Sequence, residues 1–221
     1  MQTVVIPDIH EDWQTAEKII TKYADKPLIF LGDWFDSFTH SERSASCTLD
    51  LLKDVARDPN ATLLWGNHDI HYAWSNVPGI HCSGFNEWTN RHLKDQIPID
   101  RFGLSVMAEG FVLSHAGWAD LPQLHTQAFL NVIWQDALDL LDARTLPPIF
   151  YAGWRRGGRR DALGGPVWLD WRDFKPLDGI RQIVGHTPDT RVRWKEGNLC
   201  LDTGLKHVAL IENGQVEIVP V

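Results

Sequence analysis

The feature that most constrains the fold is a series of short apolar segments, each ended by a glycine or proline and followed at once by polar side chains. Three of them lie near the start of the chain, at residues 3–6, 28–31 and 61–65. Their length and β-branched content are typical of buried strands. Between them, apolar residues recur at helical spacing, at 13–20 and at 49–55. This alternation of strands and helices predicts a parallel sheet.

The second half of the chain is less regular. Further strands are predicted at 111–113 and 183–184, and apolar spacing predicts a helix over 124–141. Residues 145–180 are rich in Gly, Pro, Arg and Trp and are expected to form a loop-dominated lid. Asn213-Gly214 between two apolar runs predicts a hairpin, so the chain should end in antiparallel strands. Since no linker composition divides the chain, we expect one α/β domain over residues 1–221.

Charge and composition argue against several broad classes of protein. The 221 residues include 21 basic and 29 acidic side chains, a net charge of −8 at pH 7. An acidic chain repels nucleic-acid phosphates and anionic lipids at long range, so no nucleic-acid binding is expected. No apolar run has the length of a membrane span, and the N-terminus lacks the pattern of a signal peptide. Three widely spaced cysteines, Cys47, Cys82 and Cys200, indicate reduced thiols, and we expect a cytoplasmic protein.

Each predicted strand is followed by a side chain that can bind a metal. The motifs are, in order, Asp-x-His, Gly-Asp-x-x-Asp, Gly-Asn-His-Asp, Ser-His and Gly-His-Thr. In open α/β sheets, binding sites collect beyond the carboxyl ends of the strands. Any one of these motifs is commonplace in turns, but all of them in one order, each after an apolar strand, predict a metal centre. Its expected ligands are Asp8, His10, Asp33, Asn67, His115 and His186.

The chemistry of this ligand set favours two divalent ions. Carboxylate, imidazole and amide oxygen donors suit manganese, iron or zinc, and we expect manganese first. The set contains no cysteine, unlike thiolate structural zinc sites. One carboxylate can bridge two ions about 3.5–4 Å apart, as two-metal hydrolases require. Asp33 is the expected bridge, because it follows the middle one of the first three strands.

Taken together, the motifs resemble those of the calcineurin-like metallophosphoesterase superfamily. Within it they are similar to the phosphoprotein phosphatase branch, which includes serine/threonine phosphatases and bacterial diadenosine tetraphosphatases. The resemblance covers about residues 4–210. It implies a four-layer α/β sandwich in which two facing mixed β-sheets are flanked by helices. It also implies a dinuclear metal-dependent phosphoesterase that acts on a phosphorylated protein or nucleotide.

The resemblance further implies roles for individual residues. His68 would be the general acid that protonates the leaving alkoxide, and Asp36 would be the partner that fixes its tautomer. A metal-bridging hydroxide would attack phosphorus, with no covalent enzyme intermediate. The ligands of the first ion would be Asp8, His10 and Asp33, and those of the second Asp33, Asn67, His115 and His186.

Several positions depart from the patterns of the superfamily. Pro188 occupies the place of the second histidine of Gly-His-x-His in other branches, which supports the phosphoprotein phosphatase branch. The usual glycine after the first histidine is replaced by Glu11. The arginine that normally follows the second motif is missing, since Asp36 is followed by Ser37. A phosphate dianion still needs charge-assisted donors, which arginine supplies best.

Replacement arginines are expected in the loop-rich region. Bacterial members carry Arg-Gly-Gly followed by Gly-Pro-x-Trp, and often an arginine two residues after that tryptophan. This chain has the two motifs at 156–158 and 165–168, but Asp170 occupies the place of the arginine. We expect Arg156 first and Arg172 second to contact phosphate, with the alternatives Arg159 and Arg160. The other interpretation of this cluster is a solvated, flexible loop.

Other polar and aromatic residues are weaker candidates. His40 lies near the second motif and could touch substrate, whereas Asp202 is expected to be structural or to support a ligand. Three aromatic residues, Trp34, Phe35 and Trp118, either wall a groove or pack in the core. The histidines that belong to no motif are expected on the surface or in the core: His71, His81, His92 and His207.

The leading function is hydrolysis of a phosphate ester, with a serine/threonine phosphoprotein as the first candidate substrate. Hydrolysis of a dinucleoside polyphosphate or nucleotide is the alternative, and the missing arginine weakens the case for an ordinary protein phosphatase. An alternative from another class is a non-catalytic scaffold on the same fold. The complete ligand set and His68 argue against it.

Overall fold

The computed structural model describes residues 2–121 and 126–221, which form two β-sheets with helices around them. Within these residues the strands are β1 (Thr3–Ile6), β2 (Leu28–Phe30), β3 (Ala61–Leu64), β4 (Phe102–Gly103), β5 (Ser105–Ala108), β6 (Phe111–Ser114), β7 (Gln182–Val184), β8 (Arg193–Lys195), β9 (Asn198–Cys200), β10 (His207–Glu212) and β11 (Gln215–Pro220). The α-helices are α1 (Trp13–Lys22), α2 (Glu42–Arg57), α3 (Asn67–Ala73), α4 (Glu87–His92) and α5 (Gln127–Asp142). Short 3-10 helices lie at Lys94–Gln96, Ile99–Arg101, Pro148–Phe150 and Trp154–Arg156.

Both sheets are mixed. The first has the order β11-β10-β1-β2-β3-β4, in which β1 to β4 are parallel and β10 runs antiparallel to β1 and β11. The second has the order β5-β6-β7-β9-β8, with a parallel centre and antiparallel edges. This confirms the predicted arrangement of two mixed sheets flanked by helices, including the parallel start and the antiparallel end of the chain.

Alternation along the strands divides the core into layers. Val5 and Ile29 of the first sheet face Leu113 and Ile183 of the second, in a cluster that fills the space between the sheets. Their neighbours along the strands point the other way and pack against the helices, as Val4 does. Successive side chains of a strand point to opposite faces of the sheet, so a strand that is covered on both faces needs apolar residues at successive positions. The outer face of the second sheet is covered in part by the loop residues Leu169, Trp171 and Phe174.

Local capping explains where the helices begin. Asp12 accepts a hydrogen bond from Thr15 N at 3.2 Å and begins α1, as the sequence predicts. Ser41 begins α2 with reciprocal bonds to Ser44, which form a capping box. Thr126 begins α5, so the observed helix spans Gln127–Asp142 in place of the predicted 124–141, and Leu124 lies outside the described residues.

The remaining secondary-structure predictions agree closely with the structure. The strands predicted at 28–31 and 61–65 each end one residue earlier than expected. Asn213 and Gly214 have φ angles of 50° and 75°, the left-handed conformation that the hairpin turn between β10 and β11 requires. Residues 145–180 contain only the two short 3-10 helices and one isolated bridge, and their role as a lid stays a prediction. The single domain stays a prediction.

The two sheets place the carboxyl ends of β1, β2, β3, β6 and β7 at one edge of the sandwich. A buried polar side chain lies within three residues of the end of each of these strands, in order Asp8, Asp33, Asn67, His115 and His186. Among the described helices, none has the length and apolar character that crossing a lipid bilayer requires.

Candidate metal centre and active site

The loops after the strands hold an unusual backbone conformation at several of the predicted site residues. His10, Asp33, Asp36 and His186 all have positive φ angles, between 44° and 65°. Residues other than glycine rarely adopt this region, and such strain accumulates at functional sites. The side chains of these four residues lie close together in two adjoining clusters.

The nitrogen His115 Nε2 is the centre of the first group of side chains. It lies 3.0 Å from His186 Nδ1, 3.1 Å from Asn67 Oδ1 and 3.3 Å from Asp33 Oδ2. One nitrogen carries at most one proton and cannot satisfy three acceptors at once. Neighbouring ligand atoms about 2.1 Å from an octahedral ion lie about 3 Å from one another, which is the spacing found here. The donor set therefore fits a divalent cation.

The tautomer of His115 supports the same conclusion. Its Nδ1 lies 2.9 Å from the carbonyl oxygen of Leu31, which can only accept, so Nδ1 donates and Nε2 keeps its lone pair. His186 Nε2 is buried without a hydrogen-bond partner, while its Nδ1 faces the group. A metal-binding histidine oriented by a backbone carbonyl is a common arrangement in metalloproteins.

A second group overlaps the first at Asp33. Ligand atoms of Asp8, His10 and Asp33 lie within 4.8 Å of one another, as do those of Asp33, His115 and His186. His10 Nδ1 lies 3.1 Å from the carbonyl oxygens of Phe35 and Asp36, so its Nε2 is free to face Asp33 Oδ2 at 3.6 Å. Membership in both groups is what a bridging carboxylate requires.

The charges of these groups call for a cation. Burial raises the pKa of Asp8 well above its ordinary value, and the nearby Asp202 and Asp33 raise it further. Burial alone would lower the pKa of His115, but the charges of Asp33 and Asp8 raise it to about 9. Both shifts reflect an excess of negative charge at this site, which a divalent cation would balance.

Two glycines leave room for the carboxylates. A Cβ atom on Gly185 would lie 1.9 Å from Asp8 Oδ1, and one on Gly66 would lie 2.1 Å from Asp33 Oδ1. No real Cβ atom makes contacts this short, so any larger residue would displace a ligand. Asp8 also accepts hydrogen bonds from His186 N at 2.9 and 3.1 Å. These bonds join the loop after β1 of the first sheet to the loop after β7 of the second.

His68 and Asp36 lie beside the two groups of predicted metal ligands described above. His68 Nδ1 is 2.8 Å from Asp36 Oδ2, which leaves Nε2 directed toward the cavity. Burial alone would lower the pKa of His68, but Asp33 and Asp36 raise it well above its ordinary value. A protonated imidazole oriented by a carboxylate is suited to donate a proton.

Three residues that contact this pair or each other were not predicted from the sequence to belong to the site. Tyr72 donates a hydrogen bond to Asp36 Oδ1, and His71 Nε2 lies 2.8 Å from Asp36 Oδ2. Cys82 Sγ lies 3.1 Å from His71 Nδ1. His71 is fully buried, as the core alternative predicted, but it contacts the site. Helical spacing was the available signal, because residues three and four positions after His68 share its face of α3.

The two predicted phosphate-binding arginines meet at one carboxylate. Arg156 Nε lies 3.0 Å from Asp170 Oδ2, and Arg172 forms two bonds of 2.8 Å with the same side chain. Burial opposes the charge of Asp170, but both arginines hold its pKa well below the usual range. Arg156 lines the cavity, whereas the side chain of Arg172 is 62% exposed and outside the cavity wall. Asp170, found where an arginine was expected, is therefore an anchor for Arg156.

A cavity of about 900 Å³ opens above the metal-binding groups. Its floor includes His10, Asp33 and Asn67, and its walls come from the loop after β2, from residues 79–84 and from residues 150–162. Phe38 and Tyr151 line it with exposed rings, and Arg159 joins Arg156 on the same wall. The side chain of Arg160 is almost fully exposed, and its nearest carboxylate is that of Asp161.

The sequence matches the family model for calcineurin-like phosphoesterases over residues 1–189. The chain belongs to the calcineurin-like phosphoesterase family. It is thus a metal-dependent hydrolase of phosphate esters, as the motifs predicted. The matched region includes every predicted ligand and ends before β8, whereas the resemblance of the motifs was expected to extend to about residue 210. No curated protein matches the sequence at a significant level.

Solved structures resemble this phosphoesterase at low sequence identity. A protein-tyrosine phosphatase from a psychrophilic Shewanella species has a TM-score of 0.58 and 14% identity, covering 98% of this chain and 80% of its own. A serine/threonine phosphatase from Saccharomyces cerevisiae has a TM-score of 0.59 and 14% identity, with 100% and 80% coverage. A putative diadenosine tetraphosphatase has a TM-score of 0.54 and 14% identity, with 99% and 93% coverage. At this identity the likeness establishes the fold and not the substrate.

Glu11, His40 and Asp202 lie near the proposed ligands of this phosphoesterase. Glu11, found in place of a glycine, has a φ angle of 64°, the conformation that glycine adopts most readily. Its buried carboxylate lies 2.7 Å from His40 Nδ1, so His40 pairs with Glu11 and lies outside the cavity wall. Asp202 is buried near Asp8, which agrees with a supporting role.

The aromatic residues that flank the ligands are part of the core of the phosphoesterase. Trp34 and Phe35 are fully buried, and Trp118 is buried with its Nε1 donating to Ser105 Oγ at 2.8 Å. Packing in the core was one of the two alternatives for these residues. Of the remaining histidines, His81 lines the cavity, His92 is exposed and His207 lies 3.1 Å from Thr203 Oγ1.

We expect Gly185→Ala to release metal from the folded enzyme. The new Cβ would occupy the position of Asp8 Oδ1, so this ligand must move. Gly103→Ala is the matched control, since its Cβ would meet nothing closer than Leu64 Cδ2 at 4.0 Å. Elemental analysis after dialysis should find less metal in Gly185→Ala than in the control. Equal metal content in two folded variants would contradict the steric argument.

Proposed function

We propose that this enzyme hydrolyses phosphate monoesters with two divalent cations, manganese first among them. The observation that carries the proposal is the sharing of Asp33 by two buried ligand groups, with His68 beside them. Asp8, His10 and Asp33 would hold one cation. The other would be held by Asp33, Asn67, His115 and His186. When bound, such cations lower the pKa of water and neutralise charge on phosphoryl oxygens.

The side chains of the enzyme supply the remaining parts of the reaction. His68 would donate a proton from Nε2 to the leaving oxygen, because its Nδ1 is held by Asp36 and its Nε2 faces the cavity. Asp36 would keep the ring oriented and its charge compensated, with Tyr72 holding the second carboxylate oxygen. Asp33 and Asn67 of the cavity floor are buried, so substrate and water reach the proposed ligands through the cavity.

Arg156 would bind the phosphate group. Its Nη2 lies 3.2 Å from Thr187 Oγ1 and 3.4 Å from the carbonyl of His186, which fixes the guanidinium next to a proposed metal ligand. Asp170 Oδ2 lies 3.0 Å from Nε and balances the charge of the guanidinium, which the bonds of Nη2 orient before substrate arrives. Arginine fixed in this way can offer paired donors to phosphoryl oxygens.

Two substrate classes fit the proposed chemistry. A phosphoserine or phosphothreonine protein is the first candidate, as in the branch that the motifs resemble. A nucleotide or dinucleoside polyphosphate is the second, and the exposed rings of Phe38 and Tyr151 at the cavity favour it. Aromatic rings that line a phosphate site can stack on a nucleobase.

The first test is metal-dependent hydrolysis across a substrate panel. Treatment with a chelator should abolish hydrolysis of para-nitrophenyl phosphate, and added manganese should restore it. Phosphopeptides, mononucleotides and diadenosine tetraphosphate should then be compared by their kcat/KM values. The proposal would be contradicted if the protein bound no metal and showed no manganese-stimulated hydrolysis of any of these substrates.

His68→Gln should slow turnover without loss of metal. General acid catalysis contributes about 10²–10⁴-fold, so kcat should fall by that order. The loss should be greatest for alkyl phosphates and small for para-nitrophenyl phosphate, whose leaving group needs no proton. The matched control is His92→Gln, an exposed histidine on α4. If His68→Gln hydrolyses alkyl phosphates at the rate of the control, His68 is not the acid.

Arg156→Ala should raise KM for a phosphate monoester strongly, whereas Arg172→Ala should change it little. Both arginines are anchored to Asp170, but only Arg156 lines the cavity. Loss of one charge-assisted bond to phosphate costs about 1.5–3 kcal/mol, which corresponds to roughly 10- to 150-fold in KM. Steady-state kinetics of the two variants decide this. A larger effect of Arg172→Ala would reverse the assignment.

A further inference from the structure

A second cluster of metal-binding side chains adjoins the dinuclear centre. One ligand atom from each of Asp36, His68, His71 and Cys82 lies within 4.8 Å of the others. Cys82 Sγ is 3.1 Å from His71 Nδ1 and 3.8 Å from His68 Nδ1, and Asp36 Oδ2 is 2.8 Å from His68 Nδ1. Two of these separations are shorter and one is longer than the values of about 3.3–3.7 Å expected between ligands of a tetrahedral zinc ion, and each lies within about 0.5 Å of that range.

The hydrogen bonding within this cluster is incomplete. His71 is fully buried, and its Nε2 lies 2.8 Å from Asp36 Oδ2, yet the direction of its N–H leaves it without a well-formed hydrogen bond. Asp36 Oδ2 is also the atom that faces His68. His71 thus faces Asp36 through Nε2 and Cys82 through Nδ1, and Nδ1 is the atom that it would offer to an ion held with Cys82.

The loop that carries Cys82 is packed directly on the catalytic pair. A Cβ atom on Gly84 would lie 3.1 Å from Asp36 Cβ and 3.3 Å from His68 Cε1, so the glycine allows the close approach. Cys82 and His68 both line the cavity, and Cys82 is partly exposed. An ion that enters the cavity therefore reaches the thiol without any rearrangement of the core.

We propose that Asp36, His68, His71 and Cys82 form an inhibitory site for a thiophilic divalent cation, zinc or cadmium. The inhibition rests on the proposed role of His68 as the acid, whereas the binding does not. A thiolate with imidazole and carboxylate ligands selects zinc over manganese, which prefers oxygen and nitrogen donors and binds most weakly in the divalent series. The six proposed ligands of the dinuclear centre include no sulfur.

The cation would inhibit by occupying His68 Nδ1. An imidazole bound to a metal through Nδ1 cannot carry protons on both nitrogens, so the imidazolium needed as the acid does not form. Asp36 would also turn from His68 to the cation. At full occupancy, turnover of alkyl phosphates should fall by about 10²-fold or more, the contribution of a general acid.

Binding is tested with cadmium as a spectroscopic probe on the metal-loaded enzyme. A bound thiolate gives a sulfur-to-cadmium charge-transfer band in the ultraviolet, which ligation by oxygen and nitrogen alone does not give. The band should appear in the wild type and be lost in Cys82→Ser. Cys47→Ser is the matched control, because Cys47 is also free and partly exposed but lies on α2, outside the cluster. An undiminished band in folded Cys82→Ser would overturn the site.

Inhibition is tested by zinc titration at saturating manganese, with each variant compared to its own activity without zinc. The zinc concentration for half-inhibition should rise by about 100-fold in Cys82→Ser and stay unchanged in Cys47→Ser. Mutation of a residue that orients a metal ligand lowers metal affinity by about 10- to 100-fold, and loss of the ligand itself should lower it at least as much. Equal sensitivity of Cys82→Ser and the wild type would mean that zinc acts by replacing manganese, which overturns the proposal.

A second variant and the two measurements distinguish failure of the proposed cation site from failure of the proposed function. If Cys82→Ser does not fold, His71→Gln serves the same purpose, because it keeps the thiol and removes an imidazole ligand. Its cadmium affinity should then fall by a similar factor, and an unchanged affinity would count against the site. Wild type without manganese-dependent hydrolysis would refute the proposed function alone, while the cadmium band would still report on the cluster.

Discussion

The carboxylate of Asp33 connects the parts of this site that come from different layers of the sandwich. It follows β2 in the first sheet, and its Oδ2 lies 3.3 Å from the Nε2 of His115, which follows β6 in the second sheet. Its Oδ1 accepts a hydrogen bond from His68 N at 2.9 Å, at the start of α3. A carboxylate buried this deeply is stable only when positive charge or donors surround it. The geometry of both ligand groups therefore depends on this one side chain.

Asp33 is held in place by a strained backbone that its surroundings enforce. Left-handed conformations of residues other than glycine cost about 1–3 kcal/mol each, and several occur around this site. Asp69 offsets part of this cost, because its buried carboxylate accepts hydrogen bonds from Asp33 N at 2.7 Å and Trp34 N at 2.8 Å. The fully buried rings of Trp34 and Phe35 anchor the same loop in the core. Packing energy in the core thus maintains the conformation on which metal binding depends.

A recurring device in this enzyme is one carboxylate shared by two basic side chains. Asp36 faces His68 and His71, and Asp170 faces Arg156 and Arg172. In each pair only one partner is assigned to substrate. The sharing also brings His71, a side chain with no family motif, into contact with the carboxylate that faces His68. It also links the proposed third cation site to catalysis, since both use Asp36.

The βαβ start, the C-terminal hairpin, the ligand motifs and the family could all be predicted from the sequence, because they depend on local periodicity and on residue types after strands. It could not determine which arginine faces the cavity, because Arg156 and Arg172 have the same chemistry and differ only in where Asp170 holds them. It could not join His71 to Cys82 either, since loop closure brings together residues that no motif relates. These contacts are visible only in the folded protein, because side-chain distances across loops depend on packing of the whole chain and not on local spacing.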